Sequence, residues 1–249
     1  MPDTTGRRAE LEANLRRVNK RIDDAIAACG GRNRPTLIVV TKFFPPEDLL
    51  LLRELGVRDV GENRDQEAAV KAREVPDPEL RWHFIGQLQT NKARSVAGYA
   101  HSVHSVDRSS LVRALEKAMA GRAEHPNSSA GGTRRGRPAV LDCFVQVNLS
   151  AEGTGRGGAH PSDALEVAAR IHDSNHLRLA GVMAVAPLGG DPREAFSRLA
   201  DLSSELVSRY PAASGISAGM SGDLEHAVAA GATHLRIGSD VLGARPPVG

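Results

Sequence analysis

Short apolar segments alternate with helical segments along almost the whole chain. The first apolar segment, TLIVV, begins at Thr36, and eight strand-then-helix units follow one leading helix. Strands that alternate with helices in this way predict a parallel sheet, because each helix carries the chain back to the start of the next strand. Eight such units in 249 residues fit a closed barrel. The sequence therefore predicts an α/β fold, a single-domain (β/α)₈ TIM barrel with an extra N-terminal helix.

An open, doubly wound sheet is the alternative to the barrel. Such sheets usually carry a glycine-rich turn after the first strand. Here the first strand, predicted at 37–42, runs into KFFPPE, which contains no glycine. The absence of that turn favours the barrel.

Two further segments accompany the eight repeated units. The leading helix is predicted over 7–30, because apolar residues recur every three or four positions and a pair of glycines follows them. The segment 124–138 is rich in Gly, Ser, Pro and Arg, a composition typical of a flexible surface loop. We expect both to belong to one domain that spans 1–249.

The composition excludes several classes of function. Charged residues make up 25% of the chain and the net charge is +2, so neither a dedicated nucleic-acid binder nor a membrane binder is expected. Cys29 and Cys143 are the only cysteines, which suits the reducing cytoplasm and predicts no metal site. The N-terminus lacks the apolar segment of a signal peptide, and no run of about 18 apolar residues predicts a membrane span.

Lys42 follows an apolar strand, and two interpretations of it are open. In the first, its stem packs on the barrel and its ammonium group reaches water, the usual arrangement for a lysine at a strand end. In the second, Lys42 forms a Schiff base, because a partly desolvated amine loses its proton more readily and becomes a nucleophile. The strand pattern alone does not choose between them.

Glycines and small polar residues follow the last two predicted strands, in the segments SAGMSGD and RIGS. Barrels often bind phosphate with the loops after strands seven and eight. We expect backbone amides of the first segment to face an anion at a helix N-terminus, with a guanidinium group and a hydroxyl from the second. The alternative is that the glycines only make turns. The phosphate interpretation points to Ser217, Gly219, Met220, Arg236, Gly238 and Ser239.

Lys42 and this phosphate site are expected to be neighbours, because strands one and eight are adjacent in a closed barrel. Pyridoxal 5′-phosphate is the common cofactor that carries both an aldehyde and a phosphate. Asn63 and His83 are candidates for contact with its ring. Asn63 could instead cap the next helix, and His83 could instead be a buried histidine with its own partners.

Several motifs resemble one known family. VVTKFFP, VGENRDQE, WHFIGQLQTNKAR and SAGMSGDLEHAVAAGATHLRIGSDVLGAR are similar to segments of the pyridoxal-phosphate homeostasis protein family, stand-alone relatives of the N-terminal barrel of alanine racemase. The resemblance implies a cofactor held as an aldimine on Lys42, with Asn63 and His83 near it. The family's phosphate contacts fall on Ser217, Arg236, Gly238 and Ser239, with the turn at Gly219 and Met220 nearby.

The resemblance also implies a role in vitamin B6 homeostasis, as a carrier or buffer of the cofactor without robust catalysis. An amino-acid racemase is the alternative, and it needs an acid/base group on each face of the substrate. Alanine racemases supply the second group, a tyrosine, from another domain. This chain ends at Gly249, soon after the last strand, and Tyr99 and Tyr210 lie near predicted helix ends. We therefore expect a protein without robust catalysis that could deliver pyridoxal 5′-phosphate to apo-enzymes, and the resemblance implies that it is a monomer. A phosphosugar aldolase with Lys42 as its Schiff-base residue is a third alternative.

Overall fold

The computed structural model describes residues 4–31, 33–124, 139–150 and 157–244, and its eight strands close into a barrel. The strands are β1 (Thr36–Val40), β2 (Asp59–Glu62), β3 (Arg81–Phe84), β4 (Ser102–Val106), β5 (Leu141–Gln146), β6 (Leu177–Met183), β7 (Gly215–Ser217) and β8 (His234–Ile237). Neighbouring strands are parallel, and β1 pairs with both β2 and β8. The predicted (β/α)₈ barrel is confirmed.

Helices connect the strands around the outside. Those of the described residues are α1 (Thr4–Ala28), α2 (Pro46–Glu54), α3 (Asp65–Glu74), α4 (Ala93–Ala97), α5 (Ser109–Glu124), α6 (Pro161–His172), α7 (Pro192–Arg209), α8 (Leu224–Ala229) and α9 (Ser239–Leu242). Three of them begin with proline, whose fixed φ suits the first position of a helix. At α7, the Asp191 carboxylate also accepts a hydrogen bond from the Arg193 amide at 2.8 Å.

The extra helix α1 packs against α8 and α9, the helices that follow the last two strands. Its buried stripe consists of Leu11, Leu15, Val18 and Ile22. Burial of each such side chain contributes about 1.5–3 kcal/mol. The helix was predicted over 7–30 and lies at Thr4–Ala28, and the two glycines that follow it have positive φ, as a helix end favours.

β1 is shorter than the predicted strand at 37–42. It ends at Val40, so Lys42 lies two residues beyond the strand. The cause is a tight turn, in which the Thr41 carbonyl accepts a hydrogen bond of 3.2 Å from the Phe44 amide. Lys42 therefore sits on a turn at the rim of the barrel, not within its wall.

The predicted flexible loop at 124–138 lies, apart from Glu124 at the end of α5, outside the described residues. In the described ranges, no helix is long and apolar enough to cross a membrane.

Candidate active site at the barrel rim

The end of β1 lies beside the end of β8. A Cβ atom placed on Gly238 would lie 3.4 Å from both the Cβ and the carbonyl oxygen of Val40. Gly238 and Ser239 follow β8 directly, and Lys42 follows β1 by two residues. The structure therefore brings the predicted lysine and one predicted phosphate loop to neighbouring positions on the rim.

The turn that carries Lys42 has an unusual backbone. Phe43 has φ = +70°, which is uncommon for a residue other than glycine. Its ring attracts two cations, with Lys42 Nζ 5.8 Å and Arg64 Cζ 5.1 Å from the ring centroid. Cation–π contacts of this length are favourable. They stabilise Phe43 in its strained conformation, and with it the turn around Lys42.

The two loops predicted to bind phosphate meet at a pair of hydroxyl groups. Ser239 Oγ lies 3.3 Å from Ser221 Oγ, and both residues are at least partly exposed. Gly219 has φ = +90°, and a Cβ there would lie 2.6 Å from the nearest side-chain atom of α8. Only glycine fits this close approach. The loops thus present hydroxyls and approachable backbone, which suit an anion.

The loop after β7 does not run straight into a helix, as the sequence predicted. α8 begins only at Leu224, and the preceding turn is closed by a hydrogen bond of 2.6 Å from the Met220 amide to Asp223 Oδ1. The anion site predicted for this loop would therefore lie on the turn before α8, and it stays a prediction. Its available donors are loop amides and the Ser221 hydroxyl.

Arg236 lies inside the barrel and is only 4% exposed. Its Nη1 donates to Ser217 Oγ at 2.7 Å, and its Nη2 donates to the Ala184 carbonyl at 2.8 Å. Burial lowers the pKa of Arg236 to about 10, an effect that the charge of Asp223 partly opposes. No carboxylate among the described residues forms an ion pair with this guanidinium. A buried cation in such surroundings favours a ligand that brings an acceptor or a negative charge.

Ser217 is fully buried, and its hydroxyl has two protein partners. It accepts a hydrogen bond from Arg236 and lies 2.8 Å from His104 Nδ1. Ser217 thus supports Arg236 from within the barrel, and its phosphate contact stays a prediction. The prediction omits Ser221, a more accessible hydroxyl in the same glycine-containing segment, and His104, for which the sequence offers no signal.

His83 lies in the interior among polar partners. Its Nε2 is 2.9 Å from Asp59 Oδ1, and its Nδ1 is 2.7 Å from Ser102 Oγ and 3.0 Å from His104 Nε2. Of the two interpretations of His83, this position matches the buried histidine with its own partners. Its contact with a ligand stays a prediction. A continuous buried chain links Asp59 through these groups to the hydroxyl that Arg236 contacts.

The buried surroundings of these hydrogen-bonded groups determine which of them carry a charge. Burial lowers the pKa of His104 well below the usual value for histidine and lowers the pKa of His234 to about 4. Burial acts to raise the pKa of Asp59, but hydrogen bonds from His83 and Arg81 outweigh it and bring the value to about 2. At neutral pH, the neutral His104 imidazole therefore lies between Ser102 and the hydroxyl that the Arg236 guanidinium contacts.

Asn63 follows β2 and is half-buried. The N-cap of α3 is Arg64, and no side chain caps that helix, so the alternative capping role of Asn63 is wrong. Asn63 Oδ1 is buried and has no hydrogen-bond partner within the described ranges. Because an unpaired buried acceptor is costly, this orphan oxygen favours the predicted contact with a ligand.

Sequence reasoning also missed a buried ion pair behind the rim. Glu62 is the last residue of β2, and its Oε1 accepts hydrogen bonds of 2.7 Å from both Lys71 Nζ and Thr41 Oγ1. The contact joins the end of β1, the end of β2 and the middle of α3, and charge pattern alone gives no indication of it. Among the described residues, no cluster of His, Cys, Asp and Glu could hold a metal ion.

Comparison with known proteins places these features in a family. A family model described as alanine racemase, N-terminal domain, matches residues 8–246. A pyridoxal phosphate homeostasis protein of Corynebacterium glutamicum is 41% identical over 224 residues, which cover 88% of this chain and 96% of that protein. A protein of the same name from Mycobacterium bovis is 40% identical over 255 residues, covering 96% of this chain and 94% of the relative.

A solved structure has the same fold and a related sequence. PipY of Synechococcus elongatus, with PLP bound, superposes with a TM-score of 0.72 at 30% identity. The match covers 89% of this chain and 100% of that one.

Proposed function

The chain belongs to the pyridoxal phosphate homeostasis protein family and carries an alanine racemase N-terminal domain, and from this premise we propose that it binds pyridoxal 5′-phosphate on Lys42. We propose further that it acts as a carrier or buffer in vitamin B6 homeostasis. The names of its relatives and the PLP bound to PipY support this cofactor. In the proposed attachment, the Lys42 amine nitrogen bonds to the aldehyde carbon and one water leaves. The bound cofactor would supply an electron-withdrawing ring.

The observation that carries the proposal is that Lys42 lies on the same rim as two loops whose hydroxyls and backbone suit an anion. Lys42 suits the aldehyde, and the neighbouring hydroxyls of Ser221 and Ser239 suit the phosphate. The buried Arg236 guanidinium also suits the phosphate, and the orphan oxygen of Asn63 provides a polar group for the ring. We propose the predicted contacts of Ser217, Gly219, Met220, Gly238, Ser239 and His83 as part of the same site.

Racemase activity remains the alternative, and the positions of the described tyrosines favour a carrier. The Tyr99 ring packs against Trp82, and the Tyr210 ring packs against His172, with centroids 6.4 and 4.6 Å apart. Both tyrosines follow the C-terminal ends of helices, which lie at the opposite end of a (β/α)₈ barrel from the ligand rim. Neither is placed to be the second acid/base group that racemisation needs.

The proposal includes a monomer in the cytoplasm that serves PLP-dependent apo-enzymes. Cys29 and Cys143 are both free thiols, which supports a reducing compartment. Light scattering of the purified protein tests the monomer, and transfer of bound cofactor to an apo-transaminase tests the delivery.

An absorption spectrum tests the cofactor proposal directly. The protein mixed with pyridoxal 5′-phosphate should show an absorption band at about 420 nm, the region expected for a protonated imine of this cofactor. Lys42→Ala should remove the band, whereas Lys20→Ala, on the exposed side of α1, should keep it. A protein that stays colourless with added cofactor contradicts the proposal. Robust turnover of alanine or of a panel of amino acids contradicts the carrier role.

A further inference from the structure

Thr41, the residue before Lys42, makes hydrogen bonds with all of its polar groups. It is fully buried, and its amide and carbonyl bond to neighbouring backbone at 3.0 and 3.2 Å. The carbonyl also accepts a hydrogen bond of 2.8 Å from Lys71 Nζ, and the hydroxyl donates one of 2.7 Å to Glu62 Oε1. The peptide that leads into Lys42 is therefore held from behind the barrel wall.

The two residues that hold Thr41 are themselves an ion pair in the interior between β2 and α3. Lys71 Nζ lies 2.7 Å from Glu62 Oε1, and the side chains are 8% and 1% exposed. Burial raises the pKa of Glu62, although the charge and hydrogen bond of Lys71 oppose that effect. A buried ion pair is often no more stabilising than apolar side chains of the same volume. A pair that binds both the carbonyl and the hydroxyl of one residue is better explained by what it positions.

We propose that Glu62 and Lys71 are positioning residues that act through Thr41 to direct the Lys42 amine toward the aldehyde of its ligand. The inference rests on the proposed function of Lys42. It assigns the pair to covalent attachment and not to the binding of the phosphate group. Among the described residues, the side-chain hydrogen bonds and ion pair of Glu62 and Lys71 reach Thr41 and each other, and not the loops after β7 and β8, so the two properties can be separated.

The length of the Lys42 side chain makes the position of its amine sensitive to the backbone before it. Lys42 has a long side chain on a turn whose next residue, Phe43, has a positive φ. A small rotation of the peptide after Thr41 is amplified at the end of that side chain. A displacement of about 1 Å at a reacting atom can reduce a rate by about a hundredfold. Hydrogen bonds to both groups of Thr41 prevent such a rotation.

The first test replaces the Thr41 hydroxyl while keeping its shape. Thr41→Val removes the bond to Glu62, and Thr41→Ser keeps a hydroxyl at the same position. Attachment is measured by borohydride reduction with pyridoxal 5′-phosphate followed by mass spectrometry of the Lys42 peptide. Pocket binding is measured with pyridoxine 5′-phosphate, which has the phosphate and ring but no aldehyde. We expect Thr41→Val to slow labelling at least fivefold, with Thr41→Ser near wild type and pyridoxine 5′-phosphate affinity within twofold for both.

The second test addresses the ion pair. The double variant Glu62→Gln, Lys71→Met removes both charges and leaves no isolated buried charge, so it is expected to fold. It should slow labelling of Lys42 at least tenfold without loss of pyridoxine 5′-phosphate affinity. Thermal unfolding confirms that each variant is folded at the assay temperature.

Several outcomes overturn the inference. Unchanged labelling in Thr41→Val and in the double variant shows that the contacts do not position Lys42. Equal losses of labelling and of pyridoxine 5′-phosphate affinity assign the pair to general integrity of the pocket, as does a Thr41→Ser variant as slow as Thr41→Val. If wild type is not labelled at Lys42, or Lys42→Ala is labelled to the same extent, the proposed function fails and this inference fails with it.

Discussion

Arg236 donates a hydrogen bond of 2.7 Å to the hydroxyl of Ser217 inside the closed barrel. The same oxygen lies 2.8 Å from His104 Nδ1, a nitrogen that can accept the proton of the hydroxyl. A neutral His104 with Nδ1 as acceptor carries its proton on Nε2, which lies 2.9 Å from Ser102 Oγ. A connected series of hydrogen-bonding groups therefore runs from the guanidinium to the Asp59 carboxylate at its other end.

Replacement of Arg236 should separate ligand affinity from stability. Arg236→Met removes charge-assisted hydrogen bonds, each worth about 1.5–3 kcal/mol, so affinity for pyridoxal 5′-phosphate should fall about tenfold to a hundredfold. The folded protein should survive, since the described residues place no carboxylate in an ion pair with Arg236. Spectroscopic titration and thermal unfolding measure the two effects. Arg16→Met on the exposed side of α1 is the control, and an Arg236→Met variant with wild-type affinity would show that the guanidinium does not serve the ligand.

Two glycines in the loop after β7 provide a matched pair. Gly219 has φ = +90° and would place a Cβ 2.6 Å from the nearest atom, whereas a Cβ on Gly222 would meet nothing within 4 Å. Gly219→Ala should destabilise the protein by about 1–3 kcal/mol, and a domain of this size loses about 2–4 °C of Tm per kcal/mol. It should also weaken binding of pyridoxine 5′-phosphate. Gly222→Ala should change neither quantity, and equal effects of the two substitutions would contradict the role of the Gly219 conformation.

Acid should destabilise the barrel through its buried histidines. Burial lowers the pKa of His101 and His104, and it lowers the pKa of His234 to about 4. In acid, the unfolded protein therefore binds protons that the folded protein does not bind. Stability should therefore be highest above pH 6.5 and fall as the pH drops from 6.5 toward 4, with His234 alone contributing up to about 3 kcal/mol. Asp59 does not act in this window, because its pKa is lowered from 3.8 to about 2, so its contribution to stability is lost only as the pH falls from 3.8 toward 2.

Urea unfolding between pH 7 and pH 4.5 measures this dependence. His234→Gln should flatten the curve, while His172→Gln, at an exposed position on α6, should leave the slope unchanged. A stability curve that is flat from pH 7 to pH 4.5 in wild type would contradict the assignment of neutral, desolvated imidazoles to the interior.

The sequence alone was sufficient to predict the barrel and to predict which segments lie side by side on its rim. Alternating strands and helices determine a parallel sheet, and closure places the segment after β1 beside the segment after β8. Lys42 and Gly238 could therefore be paired across almost two hundred residues without any structural information. Their pairing depends only on the order of the strands in the barrel, which the alternation of strands and helices in the sequence predicts.

The interior could not be predicted, because it depends on which way single side chains point. In a strand, a shift of one residue moves a side chain to the opposite face. Glu62 ends β2, and nothing in the sequence indicates that its side chain points outward to Lys71 on α3. Ser217 was predicted as a phosphate contact, and the sequence contains no indication that its hydroxyl also lies within hydrogen-bond distance of Arg236 and His104. Only the register of the closed barrel decides these directions.

The leading helix should influence ligand binding through Arg21. Its guanidinium donates to the Ser221 carbonyl at 3.0 Å and forms ion pairs with Glu225 and Asp240, so one side chain of α1 joins both anion loops. Arg21→Met should lower pyridoxine 5′-phosphate affinity about threefold to tenfold, because loosened loops must be ordered again when the ligand binds. The matched control is Lys20→Met, whose ion pair with Asp24 is exposed and stays within α1. An Arg21→Met variant that binds like Lys20→Met would show that α1 contributes stability alone, whereas a selective loss of affinity would make the extra helix part of the ligand site.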